Sequence, residues 1–307
     1  MNATPREERP LLIVVTGPTG SGKTALAIDI AREFDCHIVS ADSRQLFREI
    51  PITTAAPTPD ELAAAPHHFV GILSLEQYYS AAVFEEEALA LLDSLWRNNR
   101  YAILAGGSMM YIDAVVNGID ELPTISESVR DNVFSMYQQK GLAAMVDYLL
   151  ELDPGAAGRV DLNNPRRVVH AVEICIEAGV PYSTLCTGKR KERPFDVVKL
   201  AIDMPRDVLF DRINRRVYRM VADGMIEEVT ALYDRRHLNS LNTVGCKEIF
   251  AMLDGKMDRD TAIARIAKNT RVYAKKQMTW LHRDPSVVYL DASRPLLPAA
   301  LQAINSH

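Results

Sequence analysis

The sequence predicts an α/β chain: a parallel sheet flanked by helices, interrupted by an inserted all-helical domain. Three observations predict it. Residues 11–16, LLIVVT, form a short apolar run that feeds directly into GPTGSGKT at 17–24. Further short apolar runs alternate with helical periodicity through the first third of the chain and recur after residue 196. From 120 to 195 only helical periodicity is present. Short apolar strands joined by helical crossovers make a sheet covered on both faces, and the glycine-rich turn after the first strand makes it P-loop NTPase-like.

In chain order, the first strand is 11–16, followed by the loop and a helix to about Phe34. A second strand is expected around Cys36 to Ser40. A helix from Phe84 to Asn98, with apolar Leu89, Leu92 and Leu95 and the acidic opening Glu85-Glu86-Glu87, precedes a third strand at Tyr101 to Ala105. After Gly118 the helical insert begins, with breaks at Asp153-Pro154-Gly155 and Gly179-Val180-Pro181. Strands return at Val197 to Ile202 and Val287 to Leu290. The expected domains are therefore a discontinuous α/β core, 1–119 with 196–307, and an insert, 120–195.

The loop carries the first chemistry. In G-x-x-x-x-G-K-T, Gly17, Gly20 and Gly22 allow the backbone to curl so that N–H groups point at phosphate oxygens, with Pro18, Thr19 and Ser21 between them. The helix that follows adds its positive end. Lys23 is positioned to neutralise a terminal phosphate, and the Thr24 hydroxyl to ligate Mg²⁺. Such a loop is of nucleotide-binding, ATP-binding type, but it recognises phosphates and not what they are attached to.

The second strand ends in Ser40-Ala41-Asp42-Ser43-Arg44-Gln45. Ligands of open parallel sheets sit beyond the carboxyl ends of the strands, so Asp42 faces the same crevice as the loop. It can hold Mg²⁺ through water, act as a general base, or cap the turn that follows. The third strand leads to Gly106-Gly107-Ser108, where a helix can start close to a ligand. After Pro205, Arg212, Arg216 and Arg219 fall at i, i+4 and i+7 on one helix face. Guanidinium groups in line suit a diphosphate or a nucleic-acid backbone, and a solvated face is the plainer alternative.

Composition narrows the partners. The chain is 48% hydrophobic and 24% charged, enough for a sizeable core, and no apolar run approaches a membrane span. The opening MNATPREERP lacks an apolar leader region, so a cytoplasmic location is expected. The four cysteines, Cys36, Cys175, Cys186 and Cys246, have no metal-ligand spacing and are expected to be reduced packing residues. Net charge is -5, but it is segregated: residues 41–131 carry fourteen acidic against five basic side chains, and 259–283 carry seven basic against one acidic. Local basic surface is what counterion release needs, so an RNA partner is admitted. Asn164-Pro165-Arg166-Arg167 and the Lys268 to Leu281 stretch are two such surfaces, the second interleaving cations with Tyr273 and Trp280, which could stack a base.

The motifs taken together resemble the tRNA dimethylallyltransferases, also called tRNA isopentenyltransferases, nearly end to end. They are GPTGSGKT, SADSRQLF, AAPTP with PHHFVGI, AGGSMMYIDAVVNGI, NPRRVVHAVEI, DMPRDVLFDRINRRV, NTVGCKEI and TRVYAKKQMTWL. The resemblance implies transfer of a dimethylallyl group from dimethylallyl diphosphate to N6 of adenosine 37, 3′ of the anticodon, in tRNAs reading codons that start with U. It also implies Mg²⁺ as cofactor, the tRNA anticodon stem-loop as partner, no membrane, and a monomer. By this match Lys23, Thr24 and Arg216 hold the diphosphate and Asp42 is the general base. Asp42, Ser43, Arg44, Gln45, Ser108, Arg130, Arg166, Arg167, His170, Thr243, Gly245, Lys247, Arg271, Lys275 and Lys276 then contact tRNA. The chain departs from the family pattern at Ala56, where a lysine is usual, at His170 for an arginine and at Cys246 for a tyrosine. A small-molecule or nucleotide kinase is the alternative, because loop, strand-end Asp and arginine helix also assemble phosphoryl-transfer sites.

Overall fold

The computed structural model describes residues 9–307; the first eight residues of the opening stretch used above lie outside them. The chain divides into two compact units, one running to Val116 and resuming at Arg193, the other Asn117–Glu192. The expected insert bounds, 120 and 195, lie three residues further along. Arg193 belongs to the core because its guanidinium bonds Glu85 (2.6 Å) and the carbonyl of Ala114 (2.7 Å).

The core unit opens with β1 (Leu11–Thr16), α1 (Lys23–Glu33), β2 (Ile38–Ser40), α2 (Pro51–Thr54), α3 (Pro59–Ala64), β3 (His67–His68), α4 (Ala81–Trp96), β4 (Tyr101–Gly106) and α5 (Met109–Asn117). The second unit holds α6 (Glu127–Leu152), α7 (Pro165–Ala178) and α8 (Tyr182–Leu185). The core resumes with β5 (Asp196–Asp203), α9 (Arg206–Ala222), α10 (Met225–Thr230), α11 (Cys246–Leu253), α12 (Arg259–Leu281), β6 (Val287–Asp291) and α13 (Leu296–Asn305). Six strands form one parallel sheet in the order β3-β2-β4-β1-β5-β6. This is the expected P-loop NTPase-like architecture.

All six residues of β1 are buried, as a central strand packed on both faces requires. On one face Leu26 and Ile30 of α1 pack with Leu209 and Ile213 of α9 and Ile304 of α13; on the other, Phe84 and Leu92 of α4 pack with Tyr111 and Val115 of α5. Each such side chain contributes about 1.5–3 kcal/mol of burial. Parallel register aligns Thr16 with Gly106 and Ala201, and Ser40 with Ala105, so the ends of β1, β2 and β4 open on one crevice.

Two expectations change. α4 begins at Ala81, not Phe84, because the Ser80 hydroxyl caps Val83 N–H (3.2 Å). Glu85 is consequently not a helix-opening anion but a buried partner of Arg193. β3 is a two-residue edge strand that no periodicity could announce.

The second unit has its own core of Val133, Met145, Leu149, Val168 and Val172. α6 bends at Gly141, whose φ of 74° no L side chain adopts comfortably. Buried Asp153 receives the N–H of Gly155 (2.9 Å) and both N–H and hydroxyl of Ser183 (2.7 Å each), which ties the expected break to α8. Asn164 caps α7 at Arg167 N–H, Pro165 occupies its first position, and Gly179 ends it at φ 66°.

Candidate active site

The glycine loop leaves β1 and enters α1 through Gly22, φ 100°, where a Cβ would stand 3.2 Å from the Arg212 guanidinium. Glycine there lets α9 come against the loop. Arg216, one turn on, donates to the Thr19 hydroxyl (3.2 Å). Arg212, Arg215, Arg216 and Arg219 then line an outer cleft of about 810 Å³ with Lys23, Thr24 and the α2–α3 segment. The stripe expected at 212, 216 and 219 therefore lines an open cleft, with Arg216 half-buried and Arg212 and Arg219 exposed; Arg215, which also pairs with Asp211, was not anticipated.

Burial and the nearby Arg216 charge pull the Lys23 ammonium down to about 8, with Asp42 opposing them. Burial likewise lowers Arg216, opposed by Asp42 and Glu61. Crowding like charges costs the free protein energy, and a polyanion relieves it.

An inner chamber of about 400 Å³ lies beyond the strand ends. Asp42, Ser43, Arg44, Gln45, Ser108, Thr243 and Lys247, seven of the residues expected to contact tRNA, line it with Tyr273 and Gln277 of α12. Asp42 Oδ1 accepts from the N–H of Arg44 (3.0 Å) and Gln45 (3.4 Å), so its capping and crevice-facing readings hold together. The Ser108 hydroxyl accepts from Ser43 N–H (2.8 Å) and donates to the Ser43 hydroxyl (3.1 Å). Gly106 makes that contact possible: a Cβ there would fall 2.1 Å from the Ala41 carbonyl oxygen. Burial, with Asp42 adding to it, raises the Tyr273 phenol.

The two cavities meet. Lys23, Thr24 and Arg216, with Ala55, Pro57 and Met220, line both. Their shared lining, the neck, thus combines cationic and hydroxyl-bearing side chains with three apolar residues.

Sequence reasoning missed the clamp that holds this arrangement. Buried Gln277 accepts from Thr19 N–H (2.8 Å) and donates to the Gly107 carbonyl (2.8 Å), joining the loop after β1 to the loop after β4. The signal was available: position 277 falls among the buried Ala267, Ala274 and Leu281 of α12, where an amide is out of place. Glu228 was missed too. It accepts from Ile52 N–H (2.8 Å), Thr53 N–H (2.8 Å) and the Thr53 hydroxyl (2.5 Å), fixing α2 at the edge of both cavities.

The remaining tRNA expectations fall elsewhere. Gly245 begins α11 packed against Met225 and Thr53, which a Cβ would approach to 2.5 and 2.8 Å. Arg271 bonds Asn214, Lys275 lies 5.6 Å over the Phe210 ring, and Lys276 is exposed. Cys246 is fully buried in the core, so it presents nothing to a ligand. Trp280, expected as a stacking surface, is half-buried against the core and donates to Asp113 (3.1 Å). Arg130, Arg166, Arg167 and His170 are exposed on the second unit, where His170 pairs with Glu173 (3.3 Å). All four cysteines are free thiols, and no described helix is long and apolar enough to cross a membrane.

The model of the IPP transferase family matches residues 45–284. The chain belongs to that family. It is thereby an enzyme of the transferase class, as expected. The match begins after the glycine loop, so the loop stands on its own geometry. A tRNA dimethylallyltransferase 2 of Parabacteroides distasonis is 47% identical over 296 residues, 96% of this chain and 97% of its own. A tRNA dimethylallyltransferase 1 of Phocaeicola vulgatus is 51% identical, covering 91% and 93%. Among solved structures, the tRNA isopentenylpyrophosphate transferase of Bacillus halodurans superposes with TM-score 0.71 at 33% identity, covering 97% and 95%. A eukaryotic dimethylallyltransferase acting on tRNA superposes with TM-score 0.81 at 25% identity, covering 97% of this chain and 79% of that one.

Proposed function

We propose that this IPP transferase moves the dimethylallyl group of dimethylallyl diphosphate to N6 of adenosine 37 in tRNA. The supporting observation is the neck: a cationic outer cleft and a chamber holding a carboxylate adjoin at Lys23, Thr24 and Arg216, which line both. Two substrates of unlike chemistry can approach from opposite sides and react where they meet. The names of the relatives supply the identity of the group and of the acceptor.

The diphosphate sits on the loop N–H groups, Lys23 and Arg216. As the bond from C1 to its phosphate oxygen lengthens, the electron pair leaves with diphosphate and positive charge grows on the allylic carbon. Fixed cations that hold diphosphate more strongly as it departs lower the barrier. The adenine N6 lone pair forms the new bond to C1, and its proton passes to the Asp42 carboxylate. An adenine in a loop leaves its stack at less cost than one in a duplex.

No group of three or more His, Cys, Asp or Glu side chains among the described residues could hold a metal alone. Mg²⁺ binds through substrate phosphates and one or two protein oxygens, and the Thr24 hydroxyl and Asp42 carboxylate, which line the same chamber, would supply them. When bound it neutralises charge on the leaving diphosphate.

The test is mass spectrometry of nucleosides from tRNA incubated with the protein and dimethylallyl diphosphate, beside a parallel incubation with labelled ATP. N6-dimethylallyladenosine is the expected product, and mass spectrometry of nuclease fragments of the same tRNA should place it at position 37. Phosphate transferred from ATP to any acceptor, with no prenylated adenosine, would refute the reading and favour a kinase.

A further inference from the structure

The neck includes three apolar residues that binding diphosphate does not use. We infer that Met220 sets the length of hydrocarbon the site accepts, restricting the donor to one isoprene unit. The inference rests on the proposed function.

Arg212, Arg216 and Met220 follow at i, i+4 and i+8 along α9, two cations and then an apolar side chain on one stripe. Met220 stands one helical turn, about 6 Å, beyond the Arg216 that faces the diphosphate. A group reacting at C1 has diphosphate on one side of that carbon and the attacking nitrogen on the other. The rest of the hydrocarbon must therefore leave sideways. The apolar neck residues are Ala55, Pro57 and Met220. Of these Ala55 is small, and its backbone is held: its carbonyl accepts from the Gln45 amide (3.0 Å). Met220 is half-buried and packs against the cluster of Val217, Met225 and Ile266. It is the one long, unbranched side chain of the three, so the space left for a tail is what its thioether leaves.

The experiment is competition between dimethylallyl diphosphate and its ten-carbon homologue, geranyl diphosphate, with tRNA as acceptor and nucleoside mass as readout. Met220→Ala removes three heavy atoms from the wall. A hydrophobic pocket discriminates about 10–200-fold per methylene, so the five-carbon preference should fall at least about tenfold. Inhibition by inorganic diphosphate should stay as in the wild type, because no phosphate-facing residue changes. A folded Met220→Ala protein that keeps the wild-type ratio overturns the assignment. Should that variant fail to fold, Met220→Phe decides: narrowing the neck should lower kcat/KM for the five-carbon donor about tenfold with inhibition by diphosphate retained, and unchanged use of that donor overturns it. Wild-type protein that prenylates tRNA with neither donor would sink the proposed function instead, a distinguishable result.

Discussion

The outer cleft and the inner chamber both hold cations, but they treat their polar groups differently. The cleft gathers Lys23, Arg212, Arg215, Arg216 and Arg219 against Glu61 and Asp223, and leaves the cations short of anions. The chamber is lined by Lys23, Arg44, Arg216 and Lys247 too, yet it fixes many of its polar groups on neighbours: Ser43 with Ser108, Asp42 with the turn behind it, Arg44 with the Ser240 carbonyl, Gln277 with both loops. A polyanion is best recognised by charge held in excess, at a cost to the free protein. A neutral base, which offers only donors, acceptors and a flat face, is recognised by groups whose directions are already fixed. The variants below are chosen to separate proton transfer, donor binding and tRNA binding from one another.

The largest effect belongs to Asp42→Asn. Asparagine keeps an Oδ1 to accept from Arg44 and Gln45, so the turn persists, but it cannot take a proton. Single-turnover transfer should fall about 10²–10⁴-fold. Equilibrium binding of tRNA and of dimethylallyl diphosphate should stay within about threefold of wild type. Equal loss in rate and affinity would make Asp42 a binding group and remove the difference between the two regions.

Next is Lys23→Met, which removes a cation from the lining the two cavities share. Donor affinity and turnover should each drop about tenfold or more, while the free protein becomes more stable. The sign follows from the lysine's value of about 8 against 10.5 unfolded. Below pH 8 both states carry the proton, and the folded state bears the full cost of a buried charge, at most about 3 kcal/mol and less what solvent screens. Between 8 and 10.5 the unfolded state binds more protons, so the wild type recovers and the variant's advantage shrinks. Melting curves at pH 7 and pH 10 measure it. Donor affinity of the wild type should weaken above pH 8, by up to about tenfold per pH unit, and that dependence should flatten in the variant. A variant less stable than wild type at pH 7 would show that Lys23 is not held against its preference.

How much of this was written plainly in the chain follows the same division. Charge in excess is visible in sequence: GPTGSGKT and the spacing 212, 216, 219 foretold the cleft because a phosphate loop and a helical stripe are local patterns. The chamber depends on side chains far apart in the chain. Thr19 meets Gln277 across 258 residues and Ser43 meets Ser108 across 65. No local period encodes such a pair. Trp280 illustrates the reverse error: among basic residues it looked like a stacking surface, whereas it faces the sheet beside α5 and only Tyr273 reaches the chamber. Cys246 likewise sits in a motif assigned to tRNA, yet its helix turns it inward while Lys247, next along, lines the chamber.

The smallest expected effect sharpens a third distinction, between surfaces that react and surfaces that only hold. Arg166 and Arg167 are exposed at the first turn of α7, on a unit that contributes no lining residue to either cavity. If they meet RNA phosphates, each replacement by alanine should reduce the slope of log affinity against log salt by about 1 and raise KM for tRNA a few-fold near 0.15 M salt. Single-turnover rate at saturating tRNA and affinity for dimethylallyl diphosphate should not move. Lys275→Ala should do less, since its ammonium is already drawn toward the Phe210 ring and gives up that contact to reach a phosphate. A salt slope unchanged in both arginine variants would leave the second unit without a phosphate-holding role, and the basic charge of α12 would have to carry the tRNA alone.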